Sequence, residues 1–396
     1  MDKNEKTTLT SSLILLLSIT CGVVVANMYY IQPIGTKVAT SLSVSTSAIG
    51  ILTMLTQLGY ALGLLFLVPL GDVVDRPKLI IRMAALSAIS LLAAFFAPSF
   101  TLFACASFLI GLLSIVPQII IPYGAVLAGP KARGKVMGTL LSGLLVGILL
   151  SRTVSGIVAS LFSWRMIYLF ALVLVAILTG LLYWKMPRTQ IKTTSSVSYL
   201  DSLKSLPYLV KTQRLLREAS ISGFFMFGTF SIFWSTLIFY ISSPVYHWGT
   251  FEAGILAIFG LSGAVAAPIV GRLSDSYSER KIVGMGLAMQ TLSFVALLLV
   301  AGSHLVVLLV AIILLDVGNQ FGQVANQTRV QGLGEAASNR NNTVFMFMYF
   351  IGGATGSLLG TTMWQQFGWL GVTLTGLAFQ LCAYICQYII FQKRLR

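Results

Sequence analysis

A chain of 396 residues that is 57% apolar and only 9% charged, with a mean hydropathy of +0.89, is excluded from the soluble globules, which carry roughly 25% charged residues. The net charge of +15 fits either a nucleic-acid binder or a membrane protein, and the placement of the charges decides between them.

Apolar stretches long enough for a membrane-crossing helix, about 20 residues, recur along nearly the whole sequence. In chain order the predicted spans are 11–34, 47–70, 78–97, 100–129, 136–162 and 164–186, then 218–243, 250–271, 281–302, 304–329, 342–367 and 369–392. Hydrocarbon offers no partner to backbone polar groups and the runs lack the alternation of a barrel, so all twelve are read as helices. The expected fold is an all-α membrane protein. Residues 1–186 form one six-helix bundle, 187–217 a polar linker, and 218–396 a second six-helix bundle.

With an even number of spans both termini share one side. All of the 26 Lys and Arg residues except Lys37, Arg152 and Arg165 fall on that side, which the positive-inside rule assigns to the cytoplasm. The charge therefore reports topology and contact with anionic headgroups, not nucleic-acid binding. Lys3 and Lys6 before the apolar run Leu13 to Ala26 also fit a cleaved signal peptide, but its removal would leave eleven spans and break the repeat described next. Cys21, Cys105, Cys382 and Cys386 lie inside predicted spans without metal-ligand spacing, and His247 and His304 lie near span ends. No cofactor, metal site or catalytic constellation is expected. The Asn-x-Thr at Asn341 falls in a cytoplasmic loop and reads as chance.

Gly71-Asp72-Val73-Val74-Asp75-Arg76 follows the second span, and Gly271-Arg272-Leu273-Ser274-Asp275 follows the eighth, half a chain length later. Trp164 and Trp369 each open the last span of a half. This repeat resembles the major facilitator superfamily, whose Gly-x-x-x-Asp-Arg loop joins the second and third helices and recurs in degenerate form between the eighth and ninth. Gly71, Asp75, Arg76 and Lys78 match the first copy, and Gly271, Asp275, Arg280 and Lys281 the second; Pro77 and Leu79 depart from it. Asn27-x-Tyr29-Tyr30-x-Gln32-Pro33, Gln57-x-Gly59-Tyr60 and Arg340-x-Asn342-Thr343 are similar to a bacterial efflux-permease and drug-antiporter branch. The resemblance implies two pseudo-symmetric bundles in a bacterial inner membrane and alternating access. It also implies a monomer whose ligands are a small solute and protons. In the gating loop, Gly71 would allow close backbone approach, and Asp75 would face a helix dipole of the other half in one conformer only. The alternative is that Arg76 and Lys78 merely enforce topology.

The fifth span reads Gly147-x-x-x-Ser151-Arg152-x-x-Ser155-Gly156, with Arg152 where the antiporter pattern has proline. Gly143, Gly147, Ser151 and Ser155 form a smooth face at i, i+4 spacing, suited to packing on the other half. Arg152 and Asp316 are the two clear charges inside spans, and such charges are costly unless paired or facing water. They are expected at similar depth, close in one conformer and separated in another, with Asp316 taking up the coupled proton. Asp316, Gln320, Gln323 and Gln327 line one helix face. Asn27, Tyr30, Gln57 and Gln118 complete the expected solute cavity, and Pro117 and Pro122 are candidate kinks. Phe224, Phe227, Met346 and Met348 read as packing or lipid-facing residues. Together these features point to proton-coupled export of a small amphiphilic or organic solute. The alternatives are a carrier of an anionic metabolite, which Arg152 favours, or a membrane-embedded sensor.

Overall fold

The computed structural model describes residues 10–187, 199–273, 276–299, 304–334 and 337–391, with the side chains of 72, 130 and 131 left aside. Among these residues every regular element is helical. The membrane helices are α1 (Ser11–Leu42), α2 (Thr46–Gly71), α3 (Arg76–Phe96), α4 (Phe100–Gly129), α5 (Ala132–Leu161) and α6 (Met166–Lys185). The second set is α7 (Arg214–Ile241), α8 (Thr250–Leu273), α9 (Glu279–Leu299) and α10 (Leu305–Gln331), followed by Ser338–Ile390. That last element runs 53 residues, too long for one crossing of about 30 Å of hydrocarbon. It breaks at Gly368, which sits at φ 60° and ψ −147°, giving α11 (338–367) and α12 (369–390). Beyond the break Gly371 comes back to within contact of Met363, so the chain reverses there. Gly129, at φ 66°, marks the equivalent reversal between α4 and α5. Only glycine takes such a φ routinely without a Cβ clash.

Local sequence explains four of the helix starts. Thr10, Ser45, Asp75 and Ser99 accept hydrogen bonds from the amides of Leu13, Ala48, Lys78 and Leu102, satisfying donors that a helix N-terminus leaves open. Pro117 cannot donate to the ladder, and α4 is interrupted by a turn at Ser114–Ile115 just before it. Pro122, the other candidate kink, lies within continuous helix.

Two features depart most from the hydropathy reading. The first span does not end at 34 but continues to Leu42, because the ammonium of Lys37 is held by the carbonyl of Ala159. Its ladder is instead interrupted at residues 27–30. The linker is also not featureless. It carries a helix, Tyr199–Thr212, whose Tyr199 hydroxyl donates to the carbonyl of Phe66 at 3.0 Å. Its Ser205 accepts from Arg340 of α11 at 2.9 Å, so it touches both bundles.

The stripe of small residues on α5 packs differently from the expectation. Gly143 and Gly147 lie against Ser18 and Gly22 of α1, and Ser155 donates to the carbonyl of Tyr30 at 2.6 Å. The stripe thus builds its own bundle. The adjoining face meets the other bundle, where Thr153 donates to the carbonyl of Gly254 at 2.8 Å and Gly156 lies against Thr250 and Gly254. A second seam joins α2 to α11, with Gly50 against Ser357 and Thr361 and the Ser47 amide donating to Gln365 at 3.2 Å. The distal part of α1 closes on α7, where Gly35 faces Ile238 and Phe239. These contacts hold the two bundles together on the side away from the linker.

Candidate functional site

Between the bundles lies a cavity of about 630 Å³, within the range typical of sites for drug-sized ligands. It runs from Arg152 and Asp316 to the linker side, where Arg76, Arg133, Ser202 and Arg340 line it.

Its inner end is built around three side chains. Arg152 of α5 is 1% exposed and Asp316 of α10 is 4% exposed, so two opposite charges are buried in the two bundles. They do not form a direct ion pair. Trp234 of α7 joins them: its indole N–H donates to Asp316 Oδ2 at 3.2 Å, and its ring centroid lies 4.4 Å from the Arg152 guanidinium carbon. Tyr29 and Phe230 add rings at 4.9 and 5.4 Å from the same carbon, a cation–π arrangement whose strength grows as water is excluded. Arg152 Nε donates to Gln32 at 2.6 Å, while Nη2 is buried without a partner. The bend of α8 at Gly260 makes room for this group. A Cβ there would stand 3.0 Å from Asp316 Oδ1 and 3.3 Å from the Trp234 ring.

From Trp234 an aromatic ribbon follows the cavity wall toward the linker. Phe230 and Phe227 stack at 5.5 Å with planes 16° apart, and Phe227 stacks on Tyr349 at 4.1 Å and 14°. The Tyr349 hydroxyl bonds Asn319 and Gln323, tying the ribbon to the polar face of α10. Across the cavity Tyr60 lies 4.3 Å from Phe350, and its hydroxyl accepts from Gln118 at 3.0 Å. One wall therefore offers ring faces and another offers amides.

The sequence-predicted residues distribute unevenly. Arg152, Gln118, Asp316, Gln320, Gln323 and Gln327 line the cavity. Asn27 and Tyr30 do not: the α1 ladder is interrupted at this level and presents Tyr29 instead. The amide of Asn27 is buried with neither atom hydrogen-bonded. Gln57 also lies outside the lining, where it bridges the bundles by donating to Ser231 and Ser357 at 3.4 Å. Phe227 and Met346, read as packing residues, are cavity-lining, whereas Phe224 stacks on Phe379.

Around the repeated loops, Gly71 and Arg76 line the linker-side mouth, and Arg76 Nε donates to the Gly71 carbonyl at 2.7 Å. Asp75 caps α3 in its own bundle and pairs with Lys78 at 3.5 Å. A Cβ at Gly71 would meet only Ile119 and Leu79 side chains at 3.4 Å or more, and Gly271 faces open space. Neither glycine is thus demanded by a close backbone approach in this conformer. Asp275 lies outside the described residues, and Lys281 is exposed. Arg280 takes part in a cluster that the sequence reading missed: buried Glu218 of α7 pairs with Arg280 at 3.3 Å and Arg329 at 2.9 Å. Arg280 also donates to the carbonyl of Gln387 in α12. Glu218 sits where the polar linker meets the span, so hydropathy alone gave it no distinction. Trp234 was equally hidden, although Phe227, Phe230 and Trp234 share a helical face by spacing.

Comparison with known proteins places this architecture. The family model described as Major Facilitator Superfamily matches residues 16–357 and 255–393. The chain is 37% identical over 373 residues to the uncharacterized transporter YgaY of Escherichia coli O157:H7, covering 94% of each. Among solved structures it resembles a bacterial homologue of the human lysosomal transporter Spinster in an inward-facing, unoccupied conformation. There the TM-score is 0.78 at 13% identity, covering 99% of this chain and 97% of that one. The nucleoside transporter NupG gives a TM-score of 0.78 at 14% identity, covering 96% of this chain and 99% of that one. With a family model matched over nearly its full length and a relative that aligns end to end, this multi-pass membrane transporter belongs to the major facilitator superfamily.

Proposed function

We propose that the protein is a proton-coupled secondary transporter that exports a small amphiphilic organic compound by alternating access. The reading is carried by the Arg152–Trp234–Asp316 group at the closed end of the cavity between the bundles. A buried carboxylate in a poorly solvated site is tolerable while a cation and a donor face it. When the bundles move and that environment changes, taking up a proton removes the charge, so the proton's occupancy and the conformer become linked. The ring faces of Phe227, Phe230 and Tyr349 suit the apolar part of an amphiphile, and Gln118, Asn319, Gln320 and Gln323 suit its polar part. The arginine-lined mouth supports a cytoplasmic orientation for the linker side and both termini. The resemblance of Asn27 to Pro33 to efflux permeases supports export and a bacterial inner-membrane location. Asp75 and its loop are proposed to stabilise the conformer closed on the linker side, and the protein is proposed to act as a monomer.

Proteoliposomes carrying an internal pH dye test this directly. A transported solute should release or admit protons across the wild-type protein. Asp316→Asn should still bind solute yet move no protons. Full pH-driven transport by Asp316→Asn would remove the coupling role.

A second reading, a carrier of an anionic metabolite, is favoured by charge: Arg76, Arg133, Arg152 and Arg340 line the cavity against the single acid Asp316 among the described lining residues. Thermal stabilisation by 4-phenylbenzoate, 4-phenylbenzamide and 4-phenylbenzylamine separates the two, since ligand binding to the folded state raises stability with occupancy. Preference for the carboxylate, lost in Arg152→Gln, selects the anion reading. Equal or better stabilisation by the amide or amine selects the first.

A further inference from the structure

We infer that Trp234 is the positioning residue through which the charge state of Asp316 reaches the seam that closes the side opposite the linker. The inference rests on the reading of Asp316 as the proton site. Arg152 and Asp316 belong to different bundles and attract through space without forming an ion pair, so contact between them runs through the group that touches both. The indole is that group, bonded by its edge to Asp316 Oδ2 at 3.2 Å and laid by its face on Arg152 at 4.4 Å. A hydrogen bond to a carboxylate is about twice as strong as one between neutral partners. Ionised Asp316 therefore fixes the plane of the ring, and a neutral Asp316 loosens it.

The ring's other contact leads to the seam. Arg152 immediately precedes Thr153, which donates to the Gly254 carbonyl across the bundles at 2.8 Å, and lies one helical turn from Gly156, which packs on Thr250 and Gly254. Loosening the ring releases Arg152 from a face that is 3% exposed and part of the other bundle, and so weakens the α5–α8 seam next to it. The ionisable groups facing Asp316 are few. Among the described residues they are Arg152 from α5 and Tyr349 from α11, with Tyr29 of α1 against the Arg152 guanidinium, while α8 presents Gly260 and Gly263. Half a turn along its own helix, Gly318 faces Gly286, Met289 and Gln290 of α9, none of which titrates.

The test needs no transported solute. Spin labels at Ser41→Cys and Val245→Cys, both exposed at the outer ends of the two bundles, report the opening of the seam in the full-length protein after replacement of its four native cysteines. Double electron–electron resonance distances are recorded in lipid nanodiscs between pH 5 and pH 8. The wild type should gain a longer-distance population as the pH falls, and Asp316→Asn should be unresponsive. Trp234→Phe keeps a ring over Arg152 but removes the N–H, and should reduce the pH-dependent change at least threefold with an unchanged size-exclusion profile. Should that variant fail to fold, Gly260→Ala presses on the same contact from α8 and should reduce the change likewise. A response in Trp234→Phe or Gly260→Ala equal to the wild type, with Asp316→Asn flat, overturns the role of Trp234 alone. A flat wild type, or a fully responsive Asp316→Asn, overturns the proton-site reading and this inference with it.

Discussion

Asp75 caps α3 and is proposed to gate the linker side, and a single substitution separates the two roles. Its carboxylate caps α3, and its pair with Lys78, whose side chain is 65% exposed, adds little in water. Asparagine caps a helix as well as aspartate does, so Asp75→Asn should leave stability within about 0.5 kcal/mol. If the charge also holds the linker side shut in the other conformer, the same variant should raise the accessibility of Gln323→Cys to a soluble maleimide and slow transport. Unchanged accessibility would confine Asp75 to capping. Glu218 is the opposite case, a buried acid shared by Arg280 and Arg329, which are 25% and 8% exposed. Glu218→Gln leaves two cations without their counter-charge, a loss of about 3–5 kcal/mol for a buried pair. It should lower the detergent-solubilised melting temperature sharply, and an unchanged melting temperature would show the cluster to be dispensable. Arg152 and Asp316 were legible in the sequence because a charge inside an apolar run has a cost that must be met. Trp234 was not, since an aromatic residue in such a run is ordinary, and its role arises only from what α5 and α10 bring to its two faces.

Helix existence was legible for the same reason that helix ends were not. Hydropathy registers the length of an apolar run, and all twelve spans appear where it places them. An end depends on particular bonds, such as the Lys37 ammonium on Ala159 that carries α1 eight residues beyond its expected stop. The partner of a small-residue face was likewise open, because Gly143 and Gly147 suit any neighbour that comes close. α1 supplies that neighbour through Gly22, and α7 does the same for α11 through Gly228 against Gly356. Overpacking such a crossing costs about 1–3 kcal/mol, so Gly147→Val should reduce folded yield and melting temperature, measured by fluorescence size-exclusion. Gly368→Ala, which forces a side chain to φ 60° and ψ −147°, should cost about 1–3 kcal/mol without altering the transport rate of the folded fraction.

For the molecule as a whole, the repeat visible in two loops extends to the surfaces on which the bundles meet. Gly50 of α2 against Thr361 of α11 has its counterpart in Gly254 of α8 against Gly156 of α5, roughly 205 residues apart in sequence, as a duplicated half requires. Each half has its own buried crossing, so a chain cut between residues 187 and 199 and expressed as two fragments should recover part of the transport activity. Stable insertion of both fragments with no transport would show that the linker helix, which touches Phe66 and Arg340, must be joined to both bundles. The glycines of the two seams have a mechanical consequence. A surface made of backbone and small hydroxyls has no teeth to disengage, so one bundle can roll on the other as a smooth bearing.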